Sequence, residues 1–307
     1  MNLIKPKFWD QERLSFLSFV LLPLTLIAHI FNFLRKNKKK VKSKIKTICI
    51  GNIYLGGTGK TPLTIKLKQL LSKKYKTVLI KKYYPEHEDE IELLKKYGKL
   101  ITSKNRLSSV RLAEKNFKLA LFDDGLQDPN LIYDFSIVCF NSRVGLGNKL
   151  VIPAGPMRES LKNLNKYNTV FINGKKNNQL IKKIKKFNKT IKVFRGEFIL
   201  KNLKELKQNN NNLIFSGIGN PNDFERLLIN NKINITRSFK YPDHYKFSLK
   251  EIMNFKKIAK LEKLKLITTE KNYIRLPKRL KKNINFTKIE LKIFNEKAFI
   301  SHILKSL

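Results

Sequence analysis

Residues 15–34 (SFLSFVLLPLTLIAHIFNFL) form an almost wholly apolar run, about the length needed to cross a hydrocarbon core and interrupted by Pro23 and His29. Pro23 kinks a spanning helix, and a kinked helix can equally lie flat in a membrane interface, so the pattern leaves both placements open. Beyond residue 46 the pattern changes to short β-rich runs separated by helical stretches. Strands are predicted at 47–50, 77–80, 99–102, 119–122, 136–140 and 169–172. Continuous apolar strands with helical crossovers predict a parallel sheet covered on both faces, hence an α/β fold. Residues 188–212 are rich in Lys and Asn, carry one strand-like run at 191–194, and read as a linker between lobes. A smaller α/β lobe follows, with strands at 213–215 and 266–268 and helices after Pro221 and Ser248. The expected organisation is a membrane-associated N-terminal helix and basic flank over 1–46, a larger α/β domain over 47–190, and the linker with the smaller lobe over 191–307.

Charge narrows the partners without choosing among them. Sixty-five Lys and Arg stand against 23 Asp and Glu, a formal net charge of +42, which draws the chain to polyanions or anionic surfaces. Nucleic acid and phospholipid headgroups with a phosphorylated lipid substrate are the two readings, and AT-rich coding bias toward Lys, Asn and Ile is a third account of the excess. The apolar run makes lipid the better fit, and no nucleic-acid-binding module is apparent. Basic residues cluster directly after the run (Arg35, Lys36, Lys38, Lys39, Lys40, Lys42, Lys44 and Lys46), where anionic headgroups of a cytoplasmic face hold them. A cleaved signal has its charges first and a small-residue cleavage site, whereas here Arg and Lys lie mainly after the apolar stretch and no such site follows. Cys49 and Cys139 lie inside apolar strands and read as core thiols, with no disulfide framework or zinc site.

Two motifs carry the chemistry. The first predicted strand runs into Gly51-Asn52-Ile53-Tyr54-Leu55-Gly56-Gly57-Thr58-Gly59-Lys60-Thr61-Pro62 and then into a helical stretch. That order is a P-loop. Tyr54 through Thr61 cradle a triphosphate with backbone N–H groups, Lys60 reaches the β- and γ-phosphates, and Thr61 offers its hydroxyl to Mg²⁺. The strict motif has glycine where this chain has Tyr54. Downstream, the apolar strand 119–122 ends in Asp123-Asp124-Gly125, either a Walker-B carboxylate pair or a simple turn. Carboxylates at a parallel strand's C-terminal end share an edge with the P-loop, which makes Asp123 and Asp124 candidate Mg²⁺ residues and the fold P-loop NTPase-like.

Read together and in order, Gly51–Pro62, Asp-Asp-Gly-Leu-Gln at 123–127, Gly-Asn-x-Leu-Val-Ile-Pro-Ala-Gly-Pro-Met-Arg-Glu at 147–159, Gly-Ile-Gly-Asn-Pro at 217–221, Asp-His-Tyr-Lys-Phe-Ser at 243–248 and Thr-Thr-Glu-Lys at 268–271 closely resemble the tetraacyldisaccharide 4′-kinases of lipid A biosynthesis. The resemblance covers nearly the whole chain. It implies ATP-dependent phosphorylation of the 4′-hydroxyl of a tetraacylated glucosamine disaccharide 1-phosphate at the cytoplasmic face of a Gram-negative inner membrane. It further implies Asp89 as base and Glu90 as a Mg²⁺-site residue, through Asp89-Glu90-Ile91, where the family has Asp-Glu-Pro. The family's Arg-Gly-Tyr-Gly stretch is reduced to Lys81-Lys82-Tyr83-Tyr84, and Asp128 stands where the family tends to have His. Tyr83, Arg106 and Arg158 are the candidate substrate residues, arginine because guanidinium binds phosphate bidentately, although Arg106 reads equally as a solvated arginine at a helix start. From the residues alone, 86–92 also reads as the acidic first turn of a helix.

On these expectations Lys60 and Mg²⁺, held by Thr61, Glu90, Asp123 and Asp124, neutralise ATP; Asp89 accepts the hydroxyl proton; and His244 orients Asp89 from the second lobe. The rival is a membrane-bound P-loop NTPase switch without a small-molecule acceptor. That rival leaves the loops at 147–159 and 243–248 without a task.

Overall fold

The computed structural model describes residues 5–35, 40–207 and 211–307, and the chain falls into two compact units. The larger comprises Lys5–Tyr83, Tyr97–Glu197 and Lys292–Leu307; the smaller comprises Tyr84–Lys96 and Phe198–Leu291.

An eight-stranded sheet organises the larger unit, in the order Ile289–Ile293, Lys192–Leu200, Thr169–Asn173, Phe135–Asn141, Lys46–Gly51, Leu119–Asp123, Thr77–Lys82, Leu100–Ser103. From Lys192–Leu200 to Leu100–Ser103 every neighbouring pair is parallel. All residues of Phe135–Asn141 and Thr169–Asn173 are buried, the signature of strands covered on both faces. One face packs Val138, Phe140, Val170 and Ile172 against Leu180 and Ile184. The other packs Cys49, Val78, Ile80 and Phe122 against Val110 and Ala113 of the helix Arg106–Glu114. Both cysteines are free and buried, as core thiols should be, and His302 is structural, bonded to Thr169 and packed on Phe135 and Phe194.

The N-terminal apolar run is two helices, Phe16–Val20 and Leu22–Arg35, broken at Leu21 just ahead of Pro23, which has no N–H to continue the ladder. Among the described residues no helix is long and apolar enough to cross a membrane. Lys36, Lys38 and Lys39 lie outside the described residues, as do the side chains of His29 and Arg35. The usual amphipathic logic is inverted here. Ser18 and Thr25 are buried, while Phe16, Leu17, Phe19, Val20, Leu24 and Leu26 are exposed. The polar groups dock on the loop at 147–157: Thr25 donates to Val151 O and accepts from Ala154 N, both at 3.2 Å, and Ser18 Oγ accepts from Asn148 Nδ2 at 3.2 Å. Trp9 adds a bond from Nε1 to Pro153 O at 3.1 Å. Close approach dictates the glycines of this loop, because a Cβ on Gly147 would stand 2.2 Å from Trp9 O and one on Gly155 2.1 Å from Asn148 Oδ1.

The smaller unit holds a four-stranded parallel sheet, Ile235–Tyr241, Asn212–Gly217, Lys265–Thr269, Ile284–Thr287, with Phe215, Ile252, Phe255 and Leu266 in its core. Two boundaries differ from the sequence reading. Residues 188–212 are not a linker: the strand-like run at 191–194 opens Lys192–Leu200, a nine-residue strand of the large sheet whose half-buried, charge-bearing continuation conceals its full length. The segment Tyr84–Lys96 leaves the larger domain and joins the smaller unit, because its helix Glu88–Lys95 packs on the helix Glu270–Arg275, with Lys96 paired to Glu270 at 2.9 Å and Arg275 donating to Glu86 O at 2.9 Å.

Thr25→Val keeps the shape and removes both bonds to the loop, leaving the buried Ala154 N–H without its acceptor. It should cost about 1–3 kcal/mol in denaturant unfolding, whereas Leu26→Ala on the exposed face should stay within about 0.5 kcal/mol. Equal effects would contradict the docking described here.

Candidate active site

In the larger unit the strand Lys46–Gly51 delivers the P-loop, and the helix Lys60–Leu71 begins directly after Gly59, whose φ is 84°. Asn52 shapes the loop from inside by donating to Tyr54 O and Gly56 O. Tyr54, standing where glycine is usual, turns its side chain into the core: it is buried beside Met157 and its hydroxyl bonds Asp10. Only its backbone belongs to the cradle, so a bulky residue is tolerated there. The loop at 147–159 braces the P-loop through Leu55 N to Pro156 O at 2.8 Å and Arg158 N to Ile53 O at 2.7 Å. The Thr58 carbonyl accepts from Asn173 Nδ2, while the buried Thr58 Oγ1 and the buried Asn173 Oδ1 have no protein partner. Orphaned buried acceptors and donors beside a glycine loop suit a polar ligand.

Sheet register sets the carboxylates. Asp123 is paired in register with Ile50 on one side and Lys81 on the other. Lys81 Nζ therefore reaches Asp123 Oδ2 at 2.7 Å, Thr61 Oγ1 donates to the same oxygen at 3.1 Å, and Thr64 Oγ1 donates to Oδ1 at 3.2 Å. Both members of the Lys81–Asp123 pair are essentially inaccessible. Asp124, in the left-handed region at φ 59°, accepts from Arg158 Nη1 at 2.9 and 3.1 Å, with Lys60 Nζ at 3.6 Å. Burial pushes its carboxyl up, but Lys60 and Arg158 outweigh burial and hold it well below the usual carboxylate range. Arg106 does not present itself to a substrate. It is buried, donating to the Asp124 carbonyl and to Asp128 Oδ2 at 3.2 Å, because Asp128 supplies the charge that its burial needs. Tyr83 stands exposed just after the strand Thr77–Lys82.

The second cluster lies wholly within the smaller unit. Asp89 is fully buried in the first turn of Glu88–Lys95; its Oδ1 accepts from Glu90 N at 2.9 Å and faces His244 Nδ1 at 3.2 Å. A carboxylate only accepts, so Nδ1 carries the proton. His244 sits at φ 60° and stacks on His87, ring centroids 4.4 Å apart and 14° from parallel. Lys271 and Arg275 flank Asp89 Oδ2 at 3.6 and 3.7 Å. Burial works to raise the Asp89 carboxyl, yet the His244 hydrogen bond and then Lys271 outweigh it and lower it. Asp89 and His244 thus meet as expected, but in one unit rather than from two lobes. Glu90 lies in this unit too, 3.1 Å from Lys271 and apart in the chain's division from Thr61, Asp123 and Asp124. His87, Glu90 and His244 have ligand atoms within 4.8 Å of one another, and the Lys271 ammonium stands beside two of them.

Lys81 and Lys271 went without roles at the sequence level. Lys81 shares with Asp123 a place at the end of an apolar strand, but only the register pairs them; Lys271 sits in a recognised motif whose contacts are all long-range.

Three comparisons bear on this geometry. The family model for tetraacyldisaccharide-1-P 4′-kinase matches residues 17–307. A tetraacyldisaccharide 4′-kinase of Pelagibacter ubique is 43% identical over 309 residues, spanning 99% of this chain and 98% of that protein. One of Rickettsia typhi is 33% identical over 97% of this chain and 99% of its own. In fold, the chain is similar to the crystal structure of LpxK from Aquifex aeolicus in complex with ATP, with a TM-score of 0.71, 22% identity, and coverage of 94% of this chain and 99% of that one.

Lys81→Met leaves Asp123 buried without its cation and should destabilise the protein by about 3–5 kcal/mol. Lys99→Met, at an exposed position, should change stability by less than about 0.5 kcal/mol. Urea unfolding of both variants checks the contrast.

Proposed function

The chain belongs to the tetraacyldisaccharide-1-P 4′-kinase family, and from that premise we propose how its residues divide the work of the reaction. The protein is a kinase of lipid A biosynthesis, using ATP to phosphorylate the 4′-hydroxyl of a tetraacylated disaccharide 1-phosphate. The observation that carries the division is the separation of roles between two buried carboxylates. Asp123 is saturated by Lys81, Thr61 and Thr64 and serves the nucleotide loop. Asp89 is tied to a histidine and serves the acceptor.

Lys60 neutralises the β- and γ-phosphates, and the backbone of 54–61 wraps them. The hydroxyl of Thr61 and the carboxylate of Asp124 are hard oxygen donors that fit Mg²⁺, which when bound neutralises phosphate charge. Glu90 is a candidate ligand on the family resemblance alone. As the 4′-oxygen attacks the γ-phosphorus and the bond to the β-phosphate oxygen breaks, Asp89 takes the hydroxyl proton, held in place by His244. Arg158, tied to Asp124 through Nη1, is the arginine we assign to substrate phosphate.

We place the protein at the cytoplasmic face of the inner membrane, with the segment 16–30 lying in the interface. The exposed Phe16, Phe19 and Leu26 support this, since a docked segment that buries its Ser and Thr and shows its aromatics to the outside has an apolar medium to meet. The basic residues after it suit anionic phospholipid.

With γ-labelled ATP and tetraacyldisaccharide 1-phosphate, label should pass to the lipid, and ATP turnover should require the acceptor. Undiminished hydrolysis without acceptor and no labelled lipid would instead indicate an NTPase switch. Combining Phe16→Ser, Phe19→Ser and Leu26→Ser should lower the rate on lipid vesicles at least about tenfold, each buried apolar side chain being worth about 1.5–3 kcal/mol. ATP binding should be retained; an unchanged vesicle rate would remove the membrane-docking claim.

A further inference from the structure

We propose that Lys271 is a positioning residue for the Asp89–His244 pair, locking the histidine loop to the helix that carries the base. The inference rests on the reading of Asp89 as proton acceptor and names the group that makes the pair rigid.

Asp89 and His244 come from segments about 155 residues apart in the chain, and the single hydrogen bond between them fixes one distance but not an orientation. Lys271 supplies the rest. Its Nζ lies 3.0 Å from Asp243 Oδ1, 3.1 Å from Glu90 Oε1, 3.5 Å from His244 Nε2 and 3.6 Å from Asp89 Oδ2. Asp243 in turn accepts from the His244 backbone N at 3.0 Å, so one ammonium grips the histidine loop through its carboxylate and the helix Glu88–Lys95 through two more. An ammonium has three donors and no acceptor, and Lys271 sets three carboxylates around them. Its side chain is 16% exposed, so these contacts act in a medium that screens them weakly.

The position is well determined from below. Thr269 caps the helix Glu270–Arg275 by accepting from Asn272 N, and the fully buried Asn272 bonds the backbone of Gly217 through both of its side-chain atoms. Lys271 is therefore carried on a helix start that is itself fastened to the sheet. Arg275, one turn later, also faces Asp89 Oδ2 but donates to Glu86 O, a group beside the same helix as Asp89. Of the two cations it is Lys271 that spans from the base to the histidine loop.

The backbone supplies the reason such a clamp is needed. His244 is held at φ 60°, a region that a residue with a Cβ adopts at a cost and keeps only when its surroundings impose it. The Asp243 carboxylate, fixed by Lys271, receives the N–H of that same residue.

The test is steady-state kinetics on the full chain with ATP and tetraacyldisaccharide 1-phosphate for Lys271→Met, Lys271→Arg and Asp243→Asn, each alone and in an Asp89→Asn background. Lys271→Met should lower kcat about 10- to 100-fold while the KM for ATP stays within about twofold, Lys271→Arg should recover part of the loss, and Asp243→Asn should lower kcat less. In the Asp89→Asn background none should cost more than about threefold further, because residues acting as one unit are non-additive. A Lys271→Met enzyme with full kcat, equal losses in both backgrounds, or a KM for ATP rising in step would overturn the proposal while leaving Asp89 as base. An Asp89→Asn enzyme with normal kcat would overturn both. Should Lys271→Met not fold, the Asp243→Asn and Lys271→Arg cycles decide the matter, and additive losses in both of them overturn it.

Discussion

A carboxylate removed from water must be given cations and donors, or it stays protonated and cannot serve as an anion. Each unit of this protein is organised around one such group. Asp123 lies between two strands whose register sets Lys81 beside it, and the first turn of the P-loop helix adds two hydroxyls. Asp89 has its helix's own N–H, a histidine, a lysine and an arginine. Removing any of these strands a buried charge, which is why the surrounding motifs occur as blocks rather than as single residues. The P-loop geometry follows from the first cluster, since Thr61 lies in the first turn of the helix and anchors to Asp123.

The loop at 147–159 links chemistry to location. Its backbone groups and the Asn148 side chain hold Ser18, Thr25 and Trp9 on one side, its backbone holds the P-loop on the other, and its arginine reaches Asp124. A segment that keeps its polar side chains inward and its apolar ones outward is thereby fastened to the nucleotide loop by a rigid brace.

Much of the fold was legible in sequence because doubly covered parallel strands are continuous apolar runs. The runs at 47–50, 119–122, 136–140 and 169–172 each fall inside a strand. What escaped was either at an edge or discontinuous. Ile235–Tyr241 (ITRSFKY) is an edge strand, largely exposed, and its polar residues conceal it. The segment Tyr84–Lys96 belongs to the smaller unit although it is flanked in sequence by strands of the larger, and no local pattern announces such an excursion. The P-loop and Asp123-Asp124 were readable because their logic is local. The burial of Arg106 was not readable because its partners, Asp124 and Asp128, lie on another element. The ring stack of His87 on His244 was likewise beyond reach, though His87 stood two residues from the base.

The central claim is that Asp89 acts on the acceptor and not on the nucleotide. Single-turnover phosphoryl transfer by Asp89→Asn, at saturating ATP and lipid acceptor, with ATP affinity measured separately at equilibrium, tests it most directly. The account predicts a transfer rate reduced about 10²- to 10⁴-fold with ATP affinity unchanged, and near-normal rates for Glu88→Gln and Glu92→Gln beside it. Normal transfer by Asp89→Asn, or a large loss in either control, would contradict it.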